Sequence, residues 1–228
     1  MLTLKEKEMT NKKFTIKDMV ICSMFTVLIT VGAFIKIPVP VCPFTLQFFF
    51  TTMAGLILGA KRGAISCALY AILGLIGLPI FAEGGGIWYL AKPTFGYIIG
   101  FIIGSYVTGK LAERKGWDKP LLIFVASFIG LLIVYACGMV YYYVIGNYIA
   151  DSPIGIWALF LYCFLLAVPG DFVLCVLSAL TTKRIRKALG GKPWQKITTC
   201  LPRALSSWSV VKKTLSRWHI ALHVCVSN

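Results

Sequence analysis

One carboxylate, Asp171, stands inside the apolar runs of this 228-residue chain, directly after Pro169 and Gly170. An ionisable side chain at membrane depth is costly, so it is a functional candidate by default. A carboxylate accepts several hydrogen bonds, so Asp171 could hold a ligand that presents paired donors. The alternative is a helix cap, because Pro-Gly marks a helix end and Asp suits the N-cap that follows it. One residue could fill both roles.

A Gly-rich break at residues 77–86 separates two long apolar runs and ends in Gly84, Gly85 and Gly86. In a membrane-spanning chain, irregular backbone of this kind survives only at the membrane surface or where it lines a cavity. Consecutive glycines permit positive φ and close backbone approach. The sequence therefore predicts a loop that closes over a ligand, with a plain outer turn as the alternative.

Polar and aromatic side chains flank the same edge of the apolar runs. Gln47 must find a hydrogen-bond partner, in a pocket or on another helix. Trp and Tyr collect at membrane interfaces for their own reasons, yet aromatic rings also line ligand sites. Glu83, Lys36 and Lys92 are more typical of solvated loop positions. The predicted ligand-binding set is Asp171, Gly84, Gly85, Gly86, Thr45, Gln47, Trp88, Tyr89, Thr94 and Tyr97.

The composition indicates an integral membrane protein of the all-α class. The chain is 58% hydrophobic and 14% charged, with a mean hydropathy of +0.83, whereas soluble domains carry about 25% charge. We predict a cytoplasmic N-terminal segment at 1–18, a transmembrane domain at 19–188, and a basic tail at 189–228. The six predicted spans cover about 19–35, 44–60, 63–82, 93–110, 119–147 and 170–188.

Basic residues set the predicted orientation. Fifteen Lys and Arg up to residue 187 lie in the N-terminal segment, in alternate loops and after span six, against two in the other loops. The positive-inside rule then places both termini in the cytoplasm. Pro169 and Gly170 interrupt the apolar stretch, which predicts a short outer or re-entrant helix at 154–168 and places Asp171 on the outer side. The net charge of +15 does not indicate nucleic-acid binding, because the charge falls in short loop clusters. The tail could lie on anionic lipid or be disordered or non-native.

Four motifs, in order, resemble one family. They are Thr45-Leu46-Gln47 after Ile37-Pro38-Val39-Pro40, the loop at 77–86, Pro93-Thr94-x-Gly96-Tyr97, and Pro169-Gly170-Asp171. Together they resemble BioY, the biotin-binding S component of energy-coupling factor (ECF) vitamin transporters. The resemblance implies a six-helix, multi-pass protein of a prokaryotic cell membrane with an outward-facing biotin pocket, in which Asp171 holds the ureido ring. It also implies docking onto a transmembrane scaffold protein and two cytoplasmic ATPases.

On span one, Cys22, Thr26 and Thr30 recur at four-residue spacing, and small residues permit close helix approach. S components typically use an Ala-x-x-x-Ala pattern there, so these three residues are the predicted partner interface.

The run from Gly104 to Leu111 resembles a P-loop but lacks its final Ser or Thr and a preceding strand. We predict no catalytic site, metal site or cofactor. An S component for another vitamin and a stand-alone secondary transporter or channel remain the alternatives.

Overall fold

The apolar runs form helices, because a helix satisfies its own backbone hydrogen bonds where water is absent. The computed structural model describes residues 16–37, 44–114, 119–148, 155–161, 165 and 167–188. The helices are α1 (Ile16–Phe34), α2 (Gln47–Leu58), α3 (Ala60–Leu75), α4 (Phe95–Ala112), α5 (Pro120–Tyr148), α6 (Ile156–Phe160) and α7 (Val168–Ala188). A 3-10 helix covers Ile87–Ala91, and the two-residue strands β1 (Lys36–Ile37) and β2 (Phe44–Thr45) pair antiparallel.

The all-α prediction is confirmed, and the helix bounds refine the predicted spans. Within the described part of the chain, α1, α4 and α5 are long and apolar enough to cross a membrane, and α2 is apolar but shorter. Helices α2 and α3 meet at Gly59, whose φ of +86° lets one helix follow the other directly. Helix α3 ends at Leu75 rather than near residue 82, and the chain then folds into the Gly-rich loop.

A partly buried ion pair joins the first turns of α1 and α3. Helix α1 begins at Ile16, so Asp18 lies within it and is buried. Arg62 places Nε 3.1 Å from Asp18 Oδ1 and Nη2 3.2 Å from Asp18 Oδ2. This two-point contact is the geometry in which Arg and a carboxylate pair most strongly. The sequence pattern indicated Asp171 as the one acid within the apolar runs. The structure places a second acid, Asp18, inside a helix, but Asp18 is paired with Arg62.

The four-residue stripe on α1 faces α3. Cys22 and Thr26 are buried, and the Thr26 hydroxyl donates to the Ser66 carbonyl at 3.1 Å. Thr30 is half-buried and donates back to the Thr26 carbonyl. The small side chains thus bring α1 close to α3 within the chain. The predicted partner contact of this stripe stays a prediction, and it would require Cys22 and Thr26 to separate from α3.

Phe81 fixes the Gly-rich loop onto α3. Its ring is 1% exposed and packs against Tyr70 and Tyr89, with ring centroids 5.3 and 4.5 Å away. The ring occupies the space in which a Cβ on Gly74 would lie. The Gly86 N–H donates to the Gly74 carbonyl at 2.7 Å. The loop is therefore a packed structure with a defined position relative to α3.

The described residues up to Ile185 form one compact unit, and residues 186–188 complete α7. The predicted tail at 189–228 and the N-terminal residues 1–15 lie outside the described residues. The outer helix predicted at 154–168 is described in part, as α6. The predicted domain limits and the cytoplasmic position of both termini stay predictions.

Gly74→Ala should lower the melting temperature of the detergent-solubilised protein, because its methyl group would displace the Phe81 ring. Overpacking typically costs about 1–3 kcal/mol, which outweighs the gain of up to about 1 kcal/mol that alanine brings to a helix. Gly155→Ala is the control, since a Cβ there meets nothing within 4 Å. Equal melting temperatures for the two variants would contradict the tight packing of Phe81 on α3.

Candidate ligand-binding site

A cavity of about 710 Å³, open space at its mouth included, lies among α2, α4, α5 and α7. Small-molecule sites are typically apolar with a few placed polar groups, and this lining has that composition. Six of the ten predicted ligand-binding residues line it together. Its lining residues are Thr45, Gln47, Phe48, Glu83, Tyr89, Thr94, Tyr97, Ile98, Phe101, Val134, Tyr135, Ala167 and Asp171.

Asp171 lies in the first turn of α7 and is 7% exposed. The helix begins three residues earlier, at Val168, and the Asp171 N–H donates to the Ala167 carbonyl at 3.1 Å. Asp171 is therefore inside the helix and not at the N-cap position that the Pro-Gly pair suggested. The hydroxyl of Tyr135 on α5 donates to Asp171 Oδ2 at 2.5 Å. The other oxygen, Oδ1, is buried and has no hydrogen-bond partner among the described residues.

Two more polar atoms of the lining have unused hydrogen-bonding capacity. Gln47, the first residue of α2, is buried. Its Nε2 atom and the Thr94 hydroxyl have no hydrogen-bond partner within the part of the chain that the structure describes. Buried polar groups are normally paired, so such atoms need a specific explanation. One acceptor, one donor and one hydroxyl around a common cavity form a site suited to a polar ligand group.

Aromatic and aliphatic side chains form the remaining walls. Tyr97 and Tyr135 pack edge to face, with centroids 6.1 Å apart and rings at 90°. The sequence analysis missed several lining residues, namely Phe48, Ile98, Phe101, Val134, Tyr135 and Ala167. Helical spacing from Tyr97 to Phe101 could have indicated Phe101. No sequence signal marks Val134 or Tyr135, because they stand in a long, uniformly apolar run.

Two lysines bind the loop at the mouth of the cavity. Lys92 Nζ lies 2.9 Å from Glu83 Oε2 and 5.2 Å from the Tyr89 ring centroid. Lys36 donates to the Ala82 carbonyl at 2.8 Å. Across the described residues no Lys or Arg lines the cavity, whose charged side chains are Asp171 and Glu83. The cavity therefore favours ligand groups that donate hydrogen bonds.

The predicted glycines and Trp88 do not line the cavity. Gly84 and Gly86 adopt φ of +112° and +107°, as their positions in a tight turn require. Gly85 sits against the Leu78 carbonyl, where a Cβ would collide. Trp88 is 85% exposed, whereas its neighbour Tyr89 is 5% exposed and points inward. The loop thus contributes Glu83 and Tyr89 to the walls, and a contact of its glycines with ligand stays a prediction.

Comparison with known proteins gives the family. The model of the BioY family matches residues 7–191. The chain belongs to the BioY family. It is 42% identical to the "Probable biotin transporter BioY" of Lysinibacillus sphaericus over 170 residues, which are 75% of this chain and 87% of that protein. It is 39% identical to the "Biotin transporter BioY" of Thermotoga maritima over 173 residues, which are 75% of this chain and 96% of that protein.

A solved structure matches the fold. The crystal structure of the S-component for biotin from an ECF-type ABC transporter superposes with a TM-score of 0.64 at 24% sequence identity. The match covers 82% of this chain and 95% of the other. The chain thus has the S-component fold, and its membership of the BioY family makes it a multi-pass prokaryotic membrane protein of a transporter family rather than an enzyme.

Proposed function

We propose that this chain is the biotin-binding membrane subunit of an ATP-driven vitamin uptake transporter. It captures biotin on the outer face and delivers it inward with a separate transmembrane scaffold and two cytoplasmic ATPases. The observation that carries the proposal is the buried Asp171 Oδ1, a carboxylate oxygen without a hydrogen-bond partner among the described residues, in the wall of a cavity in a BioY-family chain.

The chemistry of biotin suits the cavity. Its ureido ring carries two N–H donors and a carbonyl acceptor, which complement Asp171 Oδ1 and the Nε2 donor of Gln47. Its thioether ring and aliphatic chain suit the aromatic walls at Tyr97 and Phe101, because sulfur and aromatic rings attract each other. The carboxylate of biotin is then left for the mouth, away from Asp171, where Lys92 pairs with Glu83.

The energy source is assigned to other chains. The P-loop-like run from Gly104 to Leu111 lies wholly within helix α4. The would-be phosphate cradle is packed, because a Cβ on Gly109 would collide with the backbone of Ala60. A P-loop binds phosphates through exposed backbone N–H groups of a loop, which a helix interior does not offer. ATP hydrolysis is therefore proposed for the two cytoplasmic ATPases.

Calorimetric titration with biotin tests the proposal. The chain is purified in detergent and freed of co-purified ligand, as verified by mass spectrometry. We expect nanomolar affinity, which corresponds to about −12 kcal/mol. Binding of thiamine or riboflavin in place of biotin would assign another vitamin, and folded, ligand-free protein that binds none would overturn the proposal.

In proteoliposomes, uptake by the chain alone without ATP would contradict the need for ATPases.

Asp171→Asn should weaken biotin binding by about 1–3 kcal/mol, because a charge-assisted hydrogen bond to the ureido ring is lost. Asparagine keeps the size of the side chain, so a loss of biotin affinity results from the missing charge and not from a change in volume. Glu113→Gln is the matched control, since Glu113 Oε1 accepts from the Ala60 N–H and the amide keeps that oxygen. Calorimetry should show an unchanged affinity for the control. An unchanged affinity for Asp171→Asn would remove its assigned role.

Tyr89→Ala should lower biotin affinity about tenfold or more, whereas Trp88→Ala should leave it within about twofold. The two aromatic residues are neighbours in the chain, but only Tyr89 is buried and lines the cavity. Titration of both variants gives the comparison, with melting temperatures measured to verify folding. Equal losses for the two variants would contradict this cavity as the binding site and favour a loop that refolds over the ligand.

A further inference from the structure

We infer that Tyr135 is a positioning residue that sets the orientation of the Asp171 carboxylate toward the ligand. This inference rests on the proposed function. Tyr135 stands on α5 and Asp171 on α7, 36 residues apart in sequence, and both line the cavity. Neither the Pro-Gly-Asp motif nor the glycine loop indicates this residue.

The hydrogen bond divides the two carboxylate oxygens between two tasks. Tyr135 donates to Oδ2, while Oδ1 has no partner among the residues that the structure describes. The terminal torsion of an aspartate is broad and roughly two-fold, so an unheld carboxylate samples many orientations. A donor fixed on Oδ2 removes this freedom before ligand arrives. Tyr135 thereby leaves Oδ1 as the preorganised acceptor for an N–H of the ligand.

The ring of Tyr135 is itself held in place. Tyr97 packs edge-on against it, and both belong to one buried cluster with Phe101, Leu131 and Leu174. The Tyr97 ring in turn occupies the space that a Cβ on Gly138 would need. Phenylalanine at position 135 would keep all ring contacts and lose only the hydroxyl. The hydroxyl and the packing can therefore be tested separately.

Tyr135→Phe should weaken biotin binding about tenfold, the equivalent of one hydrogen bond's contribution. On the Asp171→Asn background the same change should cost about twofold or less, because residues that act through each other are not additive. The loss of affinity caused by Tyr135→Phe should also vanish for a biotin derivative methylated on both ureido nitrogens. It should persist for a derivative altered only at the carboxylate tail.

Tyr143→Phe is the matched control, since Tyr143 lies on the same helix and does not line the cavity. We expect its biotin affinity to equal that of the unmodified chain. A fluorinated tyrosine at position 135 serves as a second variant that preserves folding, because it keeps the ring and hydroxyl and alters donor strength. Its affinity should change by about twofold or more, while a purely structural role would leave affinity unchanged.

The outcomes separate this inference from the proposed function. Unchanged affinity for Tyr135→Phe, with weakened binding for Asp171→Asn, would overturn the inference and leave the function standing. Equal losses from Tyr135→Phe on both backgrounds would also overturn it, because Tyr135 would then act independently of Asp171. Absence of biotin binding by the unmodified chain would overturn the proposed function and the inference with it.

Discussion

The structure depends on one constraint: polar groups between the helices must find their partners inside the chain, because lipid offers none. Asp18 is paired with Arg62, and the Thr26 hydroxyl reaches across to α3. Ser127 and Ser178 bond to each other between α5 and α7 at 3.3 Å. Each such contact requires two helices to approach closely. The abundance of small residues at the helix contacts follows from this requirement.

The close approach is clearest between α4 and α5. Gly96, Gly100 and Gly104 recur every fourth residue on α4, and a Cβ on any of them would collide with α5. Val134 is the residue of α5 that two of these glycines contact. The same tight pair of helices carries Tyr97 and Tyr135, whose rings meet at right angles in the cavity wall. The packing that holds the bundle together therefore also sets the geometry of the site.

Polar pairing is left incomplete at three atoms around the cavity. Asp171 Oδ1, Gln47 Nε2 and the Thr94 hydroxyl all lack hydrogen-bond partners among the described residues, and all three side chains line it. Unpaired buried polar atoms cost free energy, so a ligand that pairs with them recovers that cost on binding.

The loop at the mouth is held in place by Phe81, which is buried, and by an exposed ion pair between Lys92 and Glu83. Exposed pairs contribute little to stability, so the outer contacts can exchange easily.

The sequence by itself determined the class of the protein and the chemistry of its central residue. Apolar runs of membrane length, loop charges and a carboxylate at Asp171 are visible without a fold, and the ordered motifs indicated the family. The tertiary structure alone decided which faces meet. In the folded chain Tyr89 lies in the cavity wall, whereas Trp88 is exposed. Cys22 and Thr26 face α3, and the Tyr135 hydroxyl contacts Asp171. A membrane helix is apolar on all sides, so its pattern does not reveal which face is buried.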